Sequence, residues 1–356
     1  MKRVLVTGAG GPAGRNFVRS LREAPEPFYI VGTDVNEYYL QLAPVEARYV
    51  VPHCTAPGYI DVLNNIIEAE EIELVHPQPD PEVGVISENR EVINARTHLP
   101  AKKTVRTCQD KLAAVRAWEE DGLRKDRAMV IEEPGDLGAA AEMLGLPLWL
   151  RADSGAGRRG ATPVHSLEMG LHWIGYWRAQ GVEWSFMAEK FLPGRDLAFA
   201  SLWHEGELIA SLSLERLEYM LPNQLPTQKT GPHTVGVSRH NDAVNRAATA
   251  CIKAVSPRPH GVFCVDLRED ADGNPVPTEI NCGRFYASSL FYVNAGANLP
   301  YYYVKRAFGE SVDTPFSSYN AIPADIFWLR HVDTDSVMIP RKDLKYTSCV
   351  DAPRVQ

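Results

Sequence analysis

The stretch Val262–Asn281 narrows the folds open to this chain more than any other, because it reads as a β-hairpin with acids on facing positions. Val262–Leu267 and Pro277–Asn281 are expected to be half-buried strands, with the polar positions Asp266, Glu279 and Asn281 set among apolar residues. Asp272-Gly273 between them is the strongest short turn signal a sequence carries. A two-residue turn there pairs Ala271 with Asn274, and counting outward sets Asp266 opposite Glu279. The same count puts Pro275 and Pro277 where the ladder needs no N–H. Asn281, two residues on, shares a face with Glu279. Carboxylates on opposed strand positions repel, so the arrangement makes sense with a cation between them. Asp266, Glu279 and Asn281 offer only oxygen donors, which suit Mg²⁺ shared with substrate phosphates.

The chain of 356 residues is long enough for two or three domains with substantial cores. A hydrophobic content of 45% and a charged content of 23% are ordinary for a globular protein. The net charge of −8 argues against nucleic acid or an anionic membrane as the main partner. No window approaches ~18 uninterrupted apolar residues, so no membrane span is expected. The N-terminus runs directly into a strand and a glycine loop rather than a signal peptide. Cysteines 54, 108, 251, 264, 282 and 349 form no C-x-x-C pair, which fits reduced thiols in the cytoplasm and gives no zinc site. The histidines show no ligand spacing and read as structural or surface residues, although His233 and His240 fall in a loop able to line a pocket. Cys282, with no His or Asp at a meaningful spacing, reads as a buried bystander thiol.

Residues 1–100 alternate strand and helix patterns: Val4–Thr7, a glycine turn at Gly8–Gly14, helix Arg15–Arg22, strand Tyr29–Thr33, helix Ile60–Glu68, and strand Leu74–His76 before a Pro-rich run. This is an α/β pattern with a parallel sheet, bounded near Pro100. A capped helix then starts at Asp110-Lys111. A compact α/β piece over about 124–188 holds strand Leu148–Arg151, a loop to Gly160, a helix around 166–180 and a strand ending at Glu189. Further strands and a helix near Pro300–Phe308 fill 196–310, and 311–356 shows short strand-like runs such as Asp325–Leu329 with no assignable role.

The loop after Arg151 contains Gly155, Gly157, Arg159 and Gly160. Such glycines let backbone N–H groups close on an anion, and Arg151 at the strand end can hold a phosphate bidentately. By itself the loop reads equally well as a solvated surface turn. Phe186–Asp196 is an apolar strand ending in a Pro-Gly turn, where free backbone groups could pair with an adenine edge and Asp196 with ribose hydroxyls. Taken alone, it is better read as an edge strand. Gly8, Gly11 and Gly14 with Asp34 imitate a dinucleotide fingerprint, but the Tyr301/Lys305 pair that would complete a dehydrogenase lies too far along the chain for one domain. The glycine turn is expected only to pack strand against helix.

In order, these pieces resemble the ATP-grasp superfamily, in particular the branch of the carbamoyl phosphate synthetase large subunit and the carboxylate–amine ligases, over nearly all of residues 1–310. Asp110-Lys111-Leu is similar to the family's D-K-x helix start, whose basic residue touches ATP phosphates. Arg151 stands where most members carry a second Lys. Residues 155–160 run in step with the G-S-G-S-R-G phosphate loop. Glu189, Lys190, Phe191 and Leu192 resemble the hinge that holds adenine, with Asp196 as the acid on ribose. Asp266, Glu279 and Asn281 take the positions of the ligands to two Mg²⁺, for which Mn²⁺ could substitute. Two departures stand out: Asn281-Cys-Gly-Arg284 has one residue more than the family's N-P-R, and Asp266 replaces a longer acid.

The resemblance implies an α/β (α+β) chain: a Rossmann-like pre-ATP-grasp domain over 1–100, a two-lobed ATP-grasp domain over 101–310 with a lid at about 124–188, and a C-terminal extension over 311–356. It implies a cytoplasmic ligase, ADP-forming, that activates a carboxylate as an acyl phosphate for attack by an amine. Arg216 and Arg284 are the candidates to anchor carboxylate and acyl phosphate, and Leu221–His240 is a candidate specificity loop. Relatives commonly form homodimers. The alternatives are activation of bicarbonate or carbamate by the same machinery, an NAD(P)-dependent oxidoreductase using the N-terminal glycines, and a nucleotide-binding protein without turnover.

Overall fold

The computed structural model describes residues 1–152, 160–182, 184–220, 233–331, 337–340 and 342. The first hundred residues lay down β1 (Lys2–Thr7), α1 (Pro12–Arg22), β2 (Phe28–Asp34), α2 (Glu37–Leu40), β3 (Ala47–Val50), α3 (Tyr59–Ala69), β4 (Leu74–His76), α4 (Asp80–Glu88) and β5 (Arg96–Thr97). Their strands form one parallel sheet in the order β3-β2-β1-β4-β5. Strands covered on both faces read as continuous apolar runs, as in Val4-Leu5-Val6, all fully buried. The Pro-rich run after His76 becomes a helix start, because Pro81 sits in the first turn of α4, where its missing N–H costs nothing.

Two helices follow, α5 (Lys102–Gln109) and α6 (Lys111–Glu120), the second capped by Asp110, whose side chain accepts from Ala113 N at 2.9 Å. A small antiparallel sheet then forms from β6 (Met129–Ile131), β7 (Leu148–Ala152), β8 (Thr162–Val164) and β9 (Phe186–Lys190) in the order β6-β9-β7-β8. It is backed by α7 (Pro134–Leu144) and α8 (Leu167–Ala179), and Leu137, Leu148, Leu150, Ile174 and Phe186 close a core of their own there.

The remaining elements are β10 (Asp196–His204), β11 (Glu207–Tyr219), β12 (His233–Arg239), α9 (Asp242–Val255), β13 (Gly261–Glu269), β14 (Pro275–Cys282), α10 (Ser289–Asn294), α11 (Leu299–Ala307), β15 (Ile326–Leu329) and β16 (Val337–Pro340). Their strands make an antiparallel seven-stranded sheet, β14-β13-β10-β11-β12-β15-β16. The strand-like run noted at Asp325–Leu329 is thus an integral strand, with Val235 paired to Leu329. His233 opens β12 rather than lying in a loop, and its ring packs on Trp328 at 5.4 Å. One apolar core runs from the parallel sheet through α5, α6 and α9 to the large sheet, around Trp118, Phe199 and Phe263. A second joins α1, α10 and α11 to the other side, around Phe17, Phe291 and Tyr303. Among the described residues no helix is long and apolar enough to cross a membrane.

The hairpin of β13 and β14 has the expected facing pair, Asp266 with Glu279, by a different route. The turn is one residue longer than the sequence suggests: Asp270 N donates to Asn274 O at 3.0 Å, and Asp270 Oδ1 accepts from Asp272 N and Asn274 N at 3.0 and 2.8 Å. That longer turn pairs Leu267 with Pro277 and would have placed Asp266 against Thr278. A β-bulge at Thr278 absorbs the extra residue and restores the register. Both prolines lie on the edge strand β14, as their missing donors require.

Candidate functional site

The ends of β10, β11 and β13 set charges of alternating sign side by side. Asp196 pairs across the ladder with Arg216 on β11 and with Arg268 on β13. Arg216 lies 3.0 Å from Asp196 through Nη1 and 2.5 Å from Asp266 through Nη2, and Arg268 Nη2 donates to Asp196 at 3.1 Å. Tyr286 donates its hydroxyl to Asp266 Oδ1 at 2.6 Å, and Tyr219 donates to Asp196. Burial works to strip Arg216 of its proton, but Asp266 and Asp196 hold its pKa well above the ordinary value. Arg216, expected to anchor a substrate carboxylate, is therefore a buried cation locked between two acids.

Opposite this row stands the small sheet. Glu189 on β9 is buried and receives Arg124 and Arg151, the latter with Nε 2.6 Å from Oε2. Burial would raise this carboxyl, yet the charges of Arg151 and Arg124 pull it below the usual range. Arg151 on β7 also reaches the large sheet, where its Nη1 donates to Thr278 O at 3.0 Å. That carbonyl belongs to the bulged residue. The third nitrogen, Nη2, is buried with no hydrogen-bond partner among the described residues. A buried cationic donor left unpaired is expensive unless an anion comes to meet it.

Most of these groups line one cleft between the small sheet and the large one. Lys111 reaches it from the start of α6, Phe191 and Leu192 from the segment after β9, and Arg151 and Glu189 from the small sheet. Asp196, Arg216, Asp266 and Glu279 close the other wall. Glu279 makes no hydrogen bond or ion pair among the described residues, unlike the acids around it. Lys190 lines the rim and pairs with Asp126 at 3.3 Å.

Asn281 and Arg284 stand apart from the rest. Arg284 donates to Asn281 Oδ1 and, through Nε, to Asp80 Oδ1 at 3.3 Å, and neither lines the cleft. Gly160, at φ +78°, gives its carbonyl to Trp173 Nε1 at 2.9 Å and does not line the cleft either. Gly155, Gly157, Arg159 and residues 221–232 lie outside the described residues.

Other lining residues escaped the sequence reading. Arg268 was within reach of it, being two residues from Asp266 and so on the same face. Arg124 sits between α6 and β6 with no periodic signal, and Thr278 enters only because of the bulge. At the N-terminus the dinucleotide-like turn is filled by protein. A Cβ on Gly10 would lie 2.4 Å from the Tyr39 backbone, and one on Gly14 2.3 Å from Gly8 O. Asp34 spends its carboxylate on Gly10 N at 3.0 Å and Asn36 N at 2.9 Å, rather than facing a ribose.

The PylC-like N-terminal domain family matches residues 4–97. No curated protein matches the chain in sequence. Solved structures match over most of its length. L-amino acid ligase from Bacillus licheniformis gives a TM-score of 0.70 at 16% identity, covering 92% of this chain and 79% of that one. The biotin carboxylase domain of 2-oxoglutarate carboxylase from Hydrogenobacter thermophilus, solved with MgADP, ADP and bicarbonate, gives 0.70 at 15%, covering 92% and 73%. Carboxyaminoimidazole ribonucleotide synthase from Aspergillus clavatus, complexed with ATP, gives 0.69 at 17%, covering 92% and 81%. At such identities the likeness concerns architecture.

Proposed function

We propose that this chain, which carries the ATP-grasp fold, is an ATP- and Mg²⁺-dependent ligase that activates a carboxylate as an acyl phosphate for attack by an amine. The observation that carries the reading is one cleft lined both by Arg151, whose Nη2 is buried with no hydrogen-bond partner among the described residues, and by the carboxylates of Glu279 and Asp266. Cationic donors and two carboxylates lining one cleft fit a triphosphate with its metal. The segment Lys190–Leu192 supplies an apolar rim for adenine, and Lys111 and Arg151 supply charge for the phosphates. Glu279 and Asp266 are the residues that would hold Mg²⁺, which when bound neutralises developing charge on the transferred phosphoryl group. Asp266 shares its Oδ1 with Arg216 and Tyr286, so Glu279 is the principal ligand in this reading.

In this proposal residues 101–310 form the ATP-grasp unit behind a pre-ATP-grasp domain at 1–100. The piece at 124–188 is a lid, and keeping water from the acyl phosphate is its task. Arg216 fixes the acids of the opposing wall instead of touching substrate. Arg284, held by Asp80 and Asn281, is left as a candidate contact for the second substrate beyond the cleft. The test is release of ADP and phosphate from MgATP over a panel of carboxylic acids and amines. Turnover that requires both an acid and an amine is the expected result. ATP turnover indifferent to both, or binding of NADH in place of ATP, would end the proposal.

A further inference from the structure

Three imidazoles meet at the end of the large sheet remote from the cleft, and no sequence motif links them. His204 closes β10 and His260 immediately precedes β13. Trp203 pairs with Gly261, so the two histidines stand opposed one step past the ladder. His98 enters from the segment between β5 and α5. Because Asp196 and His204 are opposite ends of one strand, the cluster lies roughly 27 Å from the cleft wall.

One ring nitrogen from each residue falls within 4.8 Å of the other two. His98 Nδ1 and His260 Nε2 are 3.1 Å apart. Two ring nitrogens at that separation share one proton, or a cation takes the proton's place. His98 Nε2 and His204 Nδ1 are buried with no hydrogen-bond partner among the described residues. The Glu205 carboxylate is engaged by Arg258 at 2.8 Å, and its backbone N–H approaches His260 Nδ1 only at 3.4 Å. Three clustered imidazoles, two of them with an orphaned buried nitrogen, are a costly way to fill a core, but they are a good donor set for a metal.

We propose that His98, His204 and His260 bind one divalent transition ion, zinc by the preference of imidazole donors. A tetrahedral ion with bonds near 2.0 Å spaces its ligands about 3.4 Å apart, so small ring movements suffice, and the fourth position falls to water. The contact between His260 and the Glu205 N–H is the one that opens as the ring turns its lone pair to the ion. The ion would tie the exit from the parallel sheet to two strands of the large one. This inference is independent of the reaction proposed for the cleft.

The test uses the full chain, stripped with chelator and then dialysed against micromolar Zn²⁺. Wild type is expected to retain one zinc per chain and to unfold several degrees higher than the stripped protein. His204→Gln and His260→Gln, at partly exposed positions, should fold, lose the zinc and lose the shift, whereas Glu279→Gln should keep both. Unchanged zinc content in the two histidine variants, or none retained by wild type, overturns the assignment. Independently of any variant, Co²⁺ added to wild type should give the intense visible absorption of a four-coordinate, nitrogen-ligated ion. The weak spectrum of hydrated Co²⁺ would overturn the site equally.

Discussion

At Arg151 one guanidinium makes three separate commitments: an ion pair with Glu189, a hydrogen bond to Thr278 O, and a buried nitrogen left over. Arg151→Ala is expected to raise the KM for ATP at least about tenfold, the scale of a lost charge-assisted hydrogen bond. An unchanged KM would mean that the nitrogen does not meet the phosphates. Glu279→Gln should abolish Mg²⁺-dependent turnover while leaving the unfolding free energy within about 0.5 kcal/mol of wild type, since the carboxylate makes no hydrogen bond or salt bridge among the described residues. Full activity in that variant would remove the proposed metal position. His76 offers a prediction about pH. Its ring is completely buried on Phe17 at 3.8 Å, and burial, only partly opposed by its hydrogen bond with Gln78, lowers its pKa to about 4. The unfolded chain takes up this proton first. The stability is therefore fully present above the ordinary value of 6.5 and is lost as pH falls toward 4, by on the order of 3 kcal/mol. His76→Phe should flatten the slope of unfolding free energy across that window, and an unaltered slope would exclude His76 as its source.

At the scale of elements, the hairpin of β13 and β14 shows what a sequence discloses and what it withholds. Strand-like runs flanking the Asp-Gly signal suffice to find both strands and the facing pair Asp266 and Glu279, although β13 is buried throughout Gly261–Leu267 rather than half-buried. They do not reveal that Asp270 and Asn274 lengthen the turn, nor that Thr278 bulges, because both choices depend on side chains bonding to local backbone. Two shifts of one residue cancel, so the pairing was legible while its origin was not. The bulge frees the carbonyl that Arg151 takes. Deleting Thr278 should keep Asp266 opposite Glu279 but remove that acceptor, giving a folded protein with the raised KM for ATP expected of Arg151→Ala. A KM equal to wild type would mean that the bulge serves only the hairpin. The histidine trio was invisible for a related reason. Positions 98, 204 and 260 share no period, and only strand register and the path of the chain bring them together.

For the whole molecule, β1, β2 and β4 of the five-stranded parallel sheet were legible in residues 1–100, and β3 and the two-residue β5 were not. β3 was missed because Ala47–Val50 is a short stretch of intermediate and exposed residues, with no apolar run to mark it. Filling the cleft should stabilise the chain as any ligand selective for the folded state does, by about 2.7 kcal/mol at a hundredfold excess over Kd. MgATP is expected to shift thermal unfolding accordingly and NADH not at all, since Gly10 and Asp34 are satisfied by protein groups. A shift with NADH alone would reverse the assignment. The small sheet has a core of its own, yet the bond from Arg151 to Thr278 crosses from it to the large sheet. If the small sheet moves as the proposed lid, its latch is the same side chain proposed to sense its cargo. On that proposal affinity and gape are coupled, and a substitution at Arg151 is expected to change both.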